Sequence, residues 1–435
     1  MTSTTAHQGS KPPCLREDAL AVLTRLREAG HVAYFAGGCV RDELLGLTPK
    51  DYDVATDAPP DRVRKLFTNT QAVGAAFGVI LVRHKKSVIE VATFRTDGEY
   101  IDGRRPEGVT FTTAEEDAKR RDFTINGMFL DPVGNRVIDY VGGQRDLKYK
   151  WLRAIGNPDE RFEEDHLRLL RAVRFAARFG LEIKGETAGA IASHAEQLIR
   201  ISPERIAEEL RLMLTPTTRG AAWYELRRLA LMPVIFRHLP GGSKKPQIDL
   251  RIFPLLSPGE GISFGLAIAA LALCYRASYA QEDIRALLER NEVRRTVQGL
   301  RTGLKISNEE GDLVAGTTEL APLLSEPPPT VAIMKRFLSQ SYAWDARRLL
   351  RAIAAAIVEF APRVQWLEQQ FESFRGNVAS PPLVTGDDLT DAGLKPGPRF
   401  KVALDQTYDA QLEGRVTTRK DAIEMAIAIA KGEPA

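Results

Sequence analysis

The sequence predicts an α+β fold in which a small head of mixed strands and helices precedes a long, all-helical remainder. Residues 16 to about 150 alternate helix-like and strand-like segments. From Trp151 onward, Leu, Ala, Arg and Glu recur at helical spacing, with few strand-like runs. At 435 residues the chain is also too long for one ordinary core, so two to four domains are expected.

Composition limits the class of protein and its partners. Hydrophobic residues make up 44% of the chain and charged residues 27%, as in globular proteins. The net charge is only +3, so a nucleic-acid surface would have to come from local clustering of basic residues. Cys14, Cys39 and Cys274 are too far apart to indicate a zinc site or a disulfide framework, which favours a reducing, cytoplasmic location. The apolar run from Ile262 to Tyr275 is shorter than the ~20 residues of a membrane span and predicts a buried helix.

The head is predicted to contain both helices and short strands. "EDALAVLTRLREAG" predicts an amphipathic helix closed by Gly30, and "HVAYFAG" a short strand that runs into glycines. "KDYDVAT" predicts a strand, and "GVILVRHKKSVIEVATF" a hairpin around residues 84–87. Pro- and Gly-containing breaks divide the helical remainder at 238–247, 325–331 and 378–384. The predicted domains are a disordered lead-in (1–15), the head (16–150), a neck (151–215), a helical body (216–378) and a helical tail (379–435).

A pair of glycines stands where the first strand gives way to a helix that begins near Cys39. Without Cβ atoms, Gly37 and Gly38 allow the backbone to approach a ligand, and the N-terminus of the following helix offers N–H groups to phosphate. A Gly-Gly pair is also an ordinary turn. The pair therefore indicates a phosphate site only in combination with the carboxylates that come after it in the chain.

Asp51 and Asp53 follow the glycines on the predicted strand "KDYDVAT". Side chains at i and i+2 of a strand project from the same face, about 6–7 Å apart, so two carboxylates there repel unless a cation lies between them. Oxygen ligands favour Mg²⁺. Glu90 is the only charge in the apolar run "SVIEVATF" and is a candidate third carboxylate. Three carboxylates with divalent ions are typical of phosphoryl or nucleotidyl transfer; two solvated aspartates on an edge strand are the alternative.

The chain has a strand, a Gly-Gly pair, a helix and a D-x-D motif in this order. This order resembles that of the DNA polymerase β-type nucleotidyltransferases. The pattern continues into "RRDFTINGMFLD", "IDYVGGQRDL" and "FEEDHLRLLRAVRFAARFG", and resumes at "LVTGDDLTDAGLKPGPRFKVAL". Together these segments resemble the class II CCA-adding enzymes (tRNA nucleotidyltransferases) and their bacterial poly(A) polymerase relatives. The resemblance covers roughly residues 33 to 215 and then the tail. It implies a polymerase β-type head followed by helical neck, body and tail.

The resemblance also implies roles for individual residues. Gly38 and Arg41 would hold the phosphates of the incoming nucleotide, Asp51 and Asp53 would bind Mg²⁺, and Arg121 with Asp122 would face the ribose. Glu90 matches the third catalytic carboxylate. The candidate nucleotide-binding set comprises Gly37, Gly38, Arg41, Asp42, Arg121, Asp122, Asn126, Asp165, Arg168, Arg171 and Arg174.

The segment "EEDHLRLLRAVRFAARFG" has a polar and an apolar side when read as one helix. At about 100° per residue, Arg168, Arg171, Arg174 and Arg178 fall within an arc of roughly 120°, opposite an apolar arc. Asp165 lies one turn ahead of Arg168, and His166 is expected to face solvent. A solvated face with local Asp–Arg pairs is the alternative. A carboxylate accepts from a base amine and a guanidinium donates to ring acceptors, so an Asp165–Arg168 pair suits cytosine or adenine and rejects uracil and guanine.

The resemblance leaves three activities open. The loop that switches specificity from C to A in the family corresponds to residues 93–122, where Gly98, Gly103 and Gly108 are possible hinges. Its full length, the segment "VGAAFGVILV" and the C-terminal "AIEMAIAIAKGEPA" favour CCA addition over poly(A) synthesis and over addition of C alone. Addition of only the terminal A remains the alternative. The expected partners are tRNA, through its acceptor and T arms, and the substrates CTP and ATP; neither DNA nor a membrane is expected.

Overall fold

The computed structural model describes residues 15–72, 77–98, 108–240, 250–256, 260–374 and 378–432. The predicted lead-in up to residue 14, residues 73–76 of the "VGAAFGVILV" segment, and the part of the predicted specificity loop at 99–107 lie outside these residues. The chain forms two compact units. The first comprises Met1–Met213 with Tyr224–Val234, and the second comprises Leu214–Trp223 with Ile235–Ala435. The predicted boundaries of head, neck, body and tail stay predictions.

The strands of the described chain lie in the first unit. They are β1 (Ala33–Ala36), β2 (Asp53–Thr56), β3 (Thr70–Ala72), β4 (Val79–His84), β5 (Ser87–Thr93), β6 (Arg95–Asp97), β7 (Val109–Phe111), β8 (Met128–Asp131), β9 (Arg136–Asp139), β10 (Trp151–Leu152) and β11 (Glu182–Ile183). The main sheet has the order β3-β4-β5-β2-β1-β8-β9. Its β2–β5 pair is parallel and the other pairs are antiparallel, so the predicted small mixed sheet is confirmed.

Helices make up most of the remaining described chain. Those up to the neck are α1 (Arg16–Glu28), α2 (Gly38–Leu44), α3 (Pro60–Leu66), α4 (Ala114–Lys119), α5 (Gly143–Tyr149), α6 (Pro158–Glu164), α7 (Arg168–Phe179), α8 (Gly185–His194) and α9 (Pro203–Met213). Those after the neck are α10 (Arg219–Arg228), α11 (Met232–Ile235), α12 (Phe264–Tyr279), α13 (Ile284–Leu287), α14 (Arg290–Leu304), α15 (Asn308–Thr318), α16 (Ala321–Leu324), α17 (Val331–Leu338), α18 (Ala343–Ala356), α19 (Ala361–Ser373), α20 (Gly386–Asp391), α21 (Pro398–Leu412) and α22 (Arg419–Lys431). Short 3-10 turns occur at Thr124–Asn126, Ala195–Arg200 and Val358–Phe360. The predicted α+β fold with a helical remainder is confirmed.

The predicted hairpin joins β4 to β5. His84 pairs with Ser87, which leaves a two-residue turn, and Lys85 takes the positive φ of 50° that tight hairpin turns need. Helix α1 packs on this side of the sheet and buries an apolar stripe at helical spacing, Ala19, Val22, Leu23 and Leu26. The local pattern of the sequence therefore specifies both elements.

The second predicted strand is shorter than expected, and this is a correction. β2 begins at Asp53, so Asp51 and Tyr52 precede the strand and do not belong to it. Asp53 pairs with Ala36, the last residue of β1, and the next residue, Gly37, turns away with a φ of 71°. Because β1 ends at this point, the backbone of Asp51 has no antiparallel β1 residue to pair with. Strand β2 therefore contains Asp53, and Asp51 lies just before it.

The predicted arginine-rich helix is also interrupted. α6 ends at Glu164, Asp165 adopts an extended conformation with φ −142° and ψ 102°, and α7 begins at Arg168. The Asp165 carboxylate accepts a hydrogen bond from the Leu167 N–H at 3.1 Å, a local side-chain bond that competes with helical hydrogen bonding. Asp165 therefore lies in the break between two helices and not on the helix that carries the arginines.

Helix α12 forms part of the core of the second unit. Every residue from Gly265 to Tyr279 is buried, which confirms the buried helix predicted for the apolar run. Arg276 is 1% exposed there and forms ion pairs with Glu282 and Glu292. Within the described ranges, no helix has the length and apolar character that crossing a bilayer requires. The tail helices α20, α21 and α22 form their own apolar cluster around Leu389, Ala403 and Ala422.

Candidate active site

The two glycines form a turn that side chains would obstruct. Gly37 has a φ of 71° and donates its N–H to the Met128 carbonyl at 3.1 Å. A Cβ at Gly37 would lie 2.8 Å from Nη1 of Arg121, closer than real Cβ contacts come. Helix α2 starts directly afterwards at Gly38 without a side-chain cap. The positive φ therefore favours glycine at position 37, and a Cβ there would displace the Arg121 guanidinium.

The candidate metal carboxylates lie at the edge of this turn. β2 and β5 run parallel, with Val54 beside Val91, so the preceding residues Asp53 and Glu90 stand level on neighbouring strands. Residues opposite each other in adjacent strands project from the same face of a sheet. Both side chains are partly buried, and Asp51 precedes them just outside the strand. The prediction that a neighbouring strand brings Glu90 to the aspartates is thus consistent with the register.

The donor atoms available here are all carboxylate oxygens, which suit a hard divalent cation such as Mg²⁺ better than zinc. In the described part of the chain, no group of three or more His, Cys, Asp or Glu side chains is already arranged to hold a metal ion. Asp53 and Glu90 thus fit a metal by chemistry and register, whereas their side chains would have to converge with Asp51 to complete a site.

A buried thiol lies close to Asp53. Cys39 is 3% exposed, and its Sγ donates to the Ala36 carbonyl at 3.3 Å. Burial, together with the negative charge of nearby Asp53, raises the pKa of the Cys39 thiol to about 12. The thiol therefore stays protonated and acts as a small packing group under the turn.

Arg41, the predicted phosphate ligand, is almost completely enclosed at 5% exposure. Its Nε and Nη2 donate to Oδ1 of Asp42 at 2.9 and 2.6 Å, and its Nη1 donates to Oδ1 of Asn126 at 2.5 Å. The guanidinium carbon lies 4.3 Å from the centre of the Phe179 ring. Burial, the largest influence, lowers the pKa of Arg41, but the group remains a cation. Three of its five N–H groups donate to these two side chains, and within the described residues the other two have no hydrogen-bond partner.

Asp122 is held by four donors. Its Oδ1 accepts from the Phe123 N–H at 2.8 Å and from Nδ2 of Asn126 at 2.9 Å; its Oδ2 accepts from Nε and Nη2 of Arg171 at 3.0 and 2.6 Å. Burial alone would raise the pKa of Asp122, but Arg171 and Asn126 outweigh it and bring the pKa to about 2. The carboxylate is therefore ionised over the whole physiological range.

Arg121, directly before Asp122 in the "RRD" segment, is held in place by Asp117 of helix α4. Arg121 donates from Nε and Nη2 to Oδ2 of Asp117 at 3.2 and 2.9 Å, and from Nη1 to the Asn126 carbonyl at 3.3 Å. Arg120 pairs with Oδ1 of the same carboxylate at 2.8 Å. Asp117 is 2% exposed, and although burial opposes ionisation, the two arginines keep its pKa below the ordinary value. Asp117 thus places Arg121 beside the glycine turn.

The four arginines of α7 lie on one side of the helix, but they do not form an exposed surface of free guanidiniums. Each has its own carboxylate partner: Arg168 pairs with Glu164 at 2.6 Å, Arg171 with Asp122 at 2.6 Å, Arg174 with Glu209 at 2.6 Å and Arg178 with Asp42 at 3.7 Å. Three of these partners are distant in sequence. The arginines consequently join α7 to helix α2, to Asp122 and to helix α9. Neither the base-reading interpretation nor the solvated-face alternative predicted these contacts.

The predicted base-reading pair is not joined in this structure. Arg168 is 7% exposed and bonds to Glu164 and, at 2.9 Å, to the Arg161 carbonyl. The Asp165 carboxylate lies 3.7 Å from Nη2 of Arg205. The expectation that His166 faces solvent is wrong: it is 2% exposed, and its Nδ1 lies 2.7 Å from the Phe162 carbonyl.

Sequence reasoning missed several partners of the candidate residues. Glu164 could have been found, because it stands four residues before Arg168, at the spacing of helical ion pairs. Asp117 could also have been found, because it stands at the same spacing before the arginine that it holds. Glu209 and the ring of Phe179 could not, because their contacts depend on how distant elements pack. No spacing in the sequence marks them.

Two segments of the chain match models of known protein families. Residues 33–153 match the model described as "Poly A polymerase head domain", and residues 180–241 match "Probable RNA and SrmB- binding site of polymerase A". The first segment contains the glycine turn, the three carboxylates and the "RRD" step. The second contains α9, which supplies Glu209 and Arg205.

Curated relatives match nearly the whole chain. A protein named CCA-adding enzyme from Lacticaseibacillus paracasei is 34% identical over 410 residues, covering 91% of this chain and 92% of the relative. One of the same name from Geobacillus thermodenitrificans is 34% identical over 433 residues, covering 95% and 96%. Among solved structures, the CCA-adding enzyme of Bacillus stearothermophilus in complex with CTP aligns with a TM-score of 0.65 and 27% identity, covering 96% of this chain and 98% of that one.

Proposed function

This chain belongs to the family of CCA-adding enzymes, and we propose that it adds C, C and A to the 3′ end of tRNA without a nucleic-acid template. The terminal 3′ hydroxyl attacks the α-phosphorus of CTP or ATP. A new O3′–P bond forms, the bond from that phosphorus to the β-phosphate oxygen breaks, and pyrophosphate leaves as the hydroxyl proton is lost. The fold and the enzyme class are those of a nucleotidyltransferase.

One observation carries the proposal. Side chains from several motifs lie around the glycine turn. Asp53, level with Glu90, pairs with Ala36 just before the turn. After the turn, a series of hydrogen-bonded side chains runs from Asp42 through Arg41, Asn126 and Asp122 to Arg171. Such an arrangement brings carboxylates for a metal next to cations for a triphosphate. Small-molecule nucleotidyltransferases share the head but not the helix that carries Arg171.

Enzymes of this class use divalent metal ions, and we propose that Mg²⁺ is the ion used here. Asp51 and Asp53 would hold it, with Glu90 as the third carboxylate. When bound, the metal supplies charge stabilisation for the triphosphate and lowers the pKa of the attacking hydroxyl. Around it, Arg41 keeps two N–H groups for phosphate, and Arg121 with Asp122 would face the ribose.

Base choice is proposed to depend on Asp165 and Arg168, which would form their pair when a nucleotide binds. Arg171 and Arg174 hold the helix that carries Arg168. The tail and the other helical surfaces would bind the acceptor and T arms through phosphate contacts, so tRNA binding should weaken steeply with salt. A cytoplasmic location completes the proposal, in keeping with Cys39 and Cys274 as free thiols.

The deciding experiment gives the purified protein Mg²⁺, CTP and ATP with four RNAs, which are sequenced afterwards. Three are tRNAs that end before CCA, after C and after CC; the fourth is a short unstructured RNA. Completion of all three tRNAs with the fourth unchanged supports the proposal. Addition of A to the CC-ended tRNA alone would indicate an A-adding enzyme, and long A tails on the unstructured RNA a poly(A) polymerase; the names of the relatives favour neither.

A companion variant tests the metal assignment. Asp51→Ala should abolish transfer and leave tRNA binding, measured by filter retention, within about twofold of wild type. Asp61→Ala is the matched control, since its side chain is 88% exposed on the same head. Transfer by Asp51→Ala at the wild-type rate would refute the assignment.

A further inference from the structure

Asn126 lies at the centre of the bonded side chains and touches both candidate ligand groups. Its amide oxygen accepts from Nη1 of Arg41 at 2.5 Å, and its amide nitrogen donates to Oδ1 of Asp122 at 2.9 Å. The residue is 8% exposed. Its side chain thus joins the cation proposed for the phosphates to the carboxylate proposed for the ribose.

Only one orientation of the amide satisfies both neighbours. A guanidinium has donors alone and an ionised carboxylate acceptors alone, so the amide oxygen must face Arg41 and the amide nitrogen must face Asp122. Aspartate in this position would offer two acceptors and repel Asp122, and leucine would offer neither group. The site therefore needs an asparagine because it needs an acceptor and a donor on one short side chain.

The backbone of Asn126 is also part of the arrangement. Its carbonyl accepts from Nη1 of Arg121 at 3.3 Å, and its N–H donates to the Phe123 carbonyl at 2.9 Å within the 3-10 turn. The side chain is consequently fixed at its root as well as at its tip. Movement of Arg41 would be transmitted to Asp122 through three atoms of one amide.

We propose that Asn126 is a positioning residue that holds Arg41 and Asp122 as one rigid unit, so that triphosphate binding and ribose recognition are coupled. This inference rests on the proposed nucleotidyl transfer and deepens it. Asn126 acts through its two neighbours, and its removal frees both at once. Loss of a hydrogen bond to a charged group corresponds to a factor of about ten or more.

The test measures steady-state transfer of C to a tRNA that lacks CCA, with CTP and with dCTP, between pH 6 and 9. Asn126→Ala should raise the KM for CTP about tenfold, change kcat far less, and lower the preference for CTP over dCTP. Asn69→Ala, an exposed asparagine in the same head, is the matched control and should behave as wild type. Thermal melting of each variant checks that the fold is intact.

Asn126→Asp supplies a signature that a merely structural residue would not give. Two carboxylates this close raise each other's pKa, whereas Arg41 and Arg171 beside them lower it, so one shared proton binds only as the pH falls. The shared proton replaces the lost N–H donor, so this variant should be poorly active at pH 8 and regain both activity and CTP preference toward pH 6. Asn126→Ala should show no such recovery.

Each result decides the matter. Variants with wild-type KM, wild-type CTP preference and wild-type pH profiles would overturn the proposal, as would equal losses with both nucleotides and no pH recovery in Asn126→Asp. If the wild-type protein adds no C to the tRNA, the proposed function itself fails. In that case calorimetric binding of CTP and dCTP to the same variants still tests the coupling, which is overturned if Asn126→Ala binds both as wild type does.

Discussion

Arg171 donates two hydrogen bonds to Oδ2 of Asp122, at 3.0 Å from Nε and 2.6 Å from Nη2, across 49 positions of sequence. These bonds join helix α7 to the "RRD" segment, and Arg178, two turns further along the same side of the helix, lies 3.7 Å from Asp42. The arginine row, which is formed by the four arginines of α7, thus holds this helix against the elements that carry the candidate phosphate-binding and ribose-binding residues. A group on this helix that read the base would therefore be placed by the same contacts as the proposed phosphate and ribose ligands.

The Asp122 carboxylate should make the protein sensitive to acid. Its folded pKa of about 2 lies below the ordinary value, so its contribution to stability is present above about pH 4 and is lost as the pH falls toward 2. The contribution at neutral pH is about 2 kcal/mol. Asp122→Asn should lower the free energy of unfolding at pH 7 and flatten its decline between pH 4 and 2, measured by denaturant titration. Asp61→Asn, highly exposed, should leave both unchanged; equal curves for Asp122→Asn and wild type would contradict the argument.

The glycine turn should tolerate no side chain at position 37. Gly37→Ala places a Cβ 2.8 Å from Nη1 of Arg121 and also forces alanine into a positive φ of 71°. Gly30→Ala is the matched control, because it has a φ of 87° but open space around its Cβ. Both variants should lose about 1–2 kcal/mol of stability from the left-handed backbone. Only Gly37→Ala should lose transfer activity, by about tenfold or more; similar activity in the two variants would mean that the contact with Arg121 is unimportant.

How much the sequence could predict differs from element to element. The hairpin at Lys85 and the buried helix α12 follow from short patterns, since turn chemistry and uninterrupted apolar residues act locally. The start of β2 does not, because it depends on where β1 ends and Gly37 turns away. Asp51 therefore looked like a strand residue and is not one.

The candidate residues could be predicted from local sequence patterns, whereas most of their partners depend on tertiary packing. The types of residue at the site could be predicted because motif spacing marks them. Their hydrogen bonds could not, because Arg174 finds Glu209 through the packing of α7 on α9, which no local pattern encodes. The break at Asp165 had a local cause, a side-chain bond to Leu167, yet the strong helical spacing of the arginines concealed it.

The Cys39 thiol should resist alkylation in the folded protein. Thiolate is the reactive form, and a pKa of about 12 reduces its fraction at pH 8 to about a thousandth of that of an ordinary thiol. The side chain is also buried. Iodoacetamide treatment followed by peptide mass spectrometry should find Cys39 unmodified in native protein and modified in denaturant. Rapid modification without denaturant would show that the turn opens readily.

Glu164 should affect base choice by orienting the Arg168 guanidinium. Its carboxylate lies 2.6 Å from Nη1 of Arg168, so an acid already holds the guanidinium that is proposed to read the base. Glu164→Gln weakens this charged contact and should alter the ratio of CTP and ATP incorporation to UTP and GTP incorporation by about threefold to tenfold, because Arg168 is less firmly oriented. Glu163→Gln, exposed on the same helix, is the control and should keep the wild-type ratio.

Asp165→Ala completes this test, because it removes the proposed partner of Arg168 and leaves Glu164 in place. It should damage selectivity among the four nucleotides more than it lowers the melting temperature, since Asp165 lies in the break between α6 and α7 and contributes one hydrogen bond there. The measurement is single-nucleotide incorporation on a tRNA that ends in CC. If Asp165→Ala and Glu164→Gln both keep wild-type selectivity, the base is read by other groups, and the arginine row serves only to hold α7 in place.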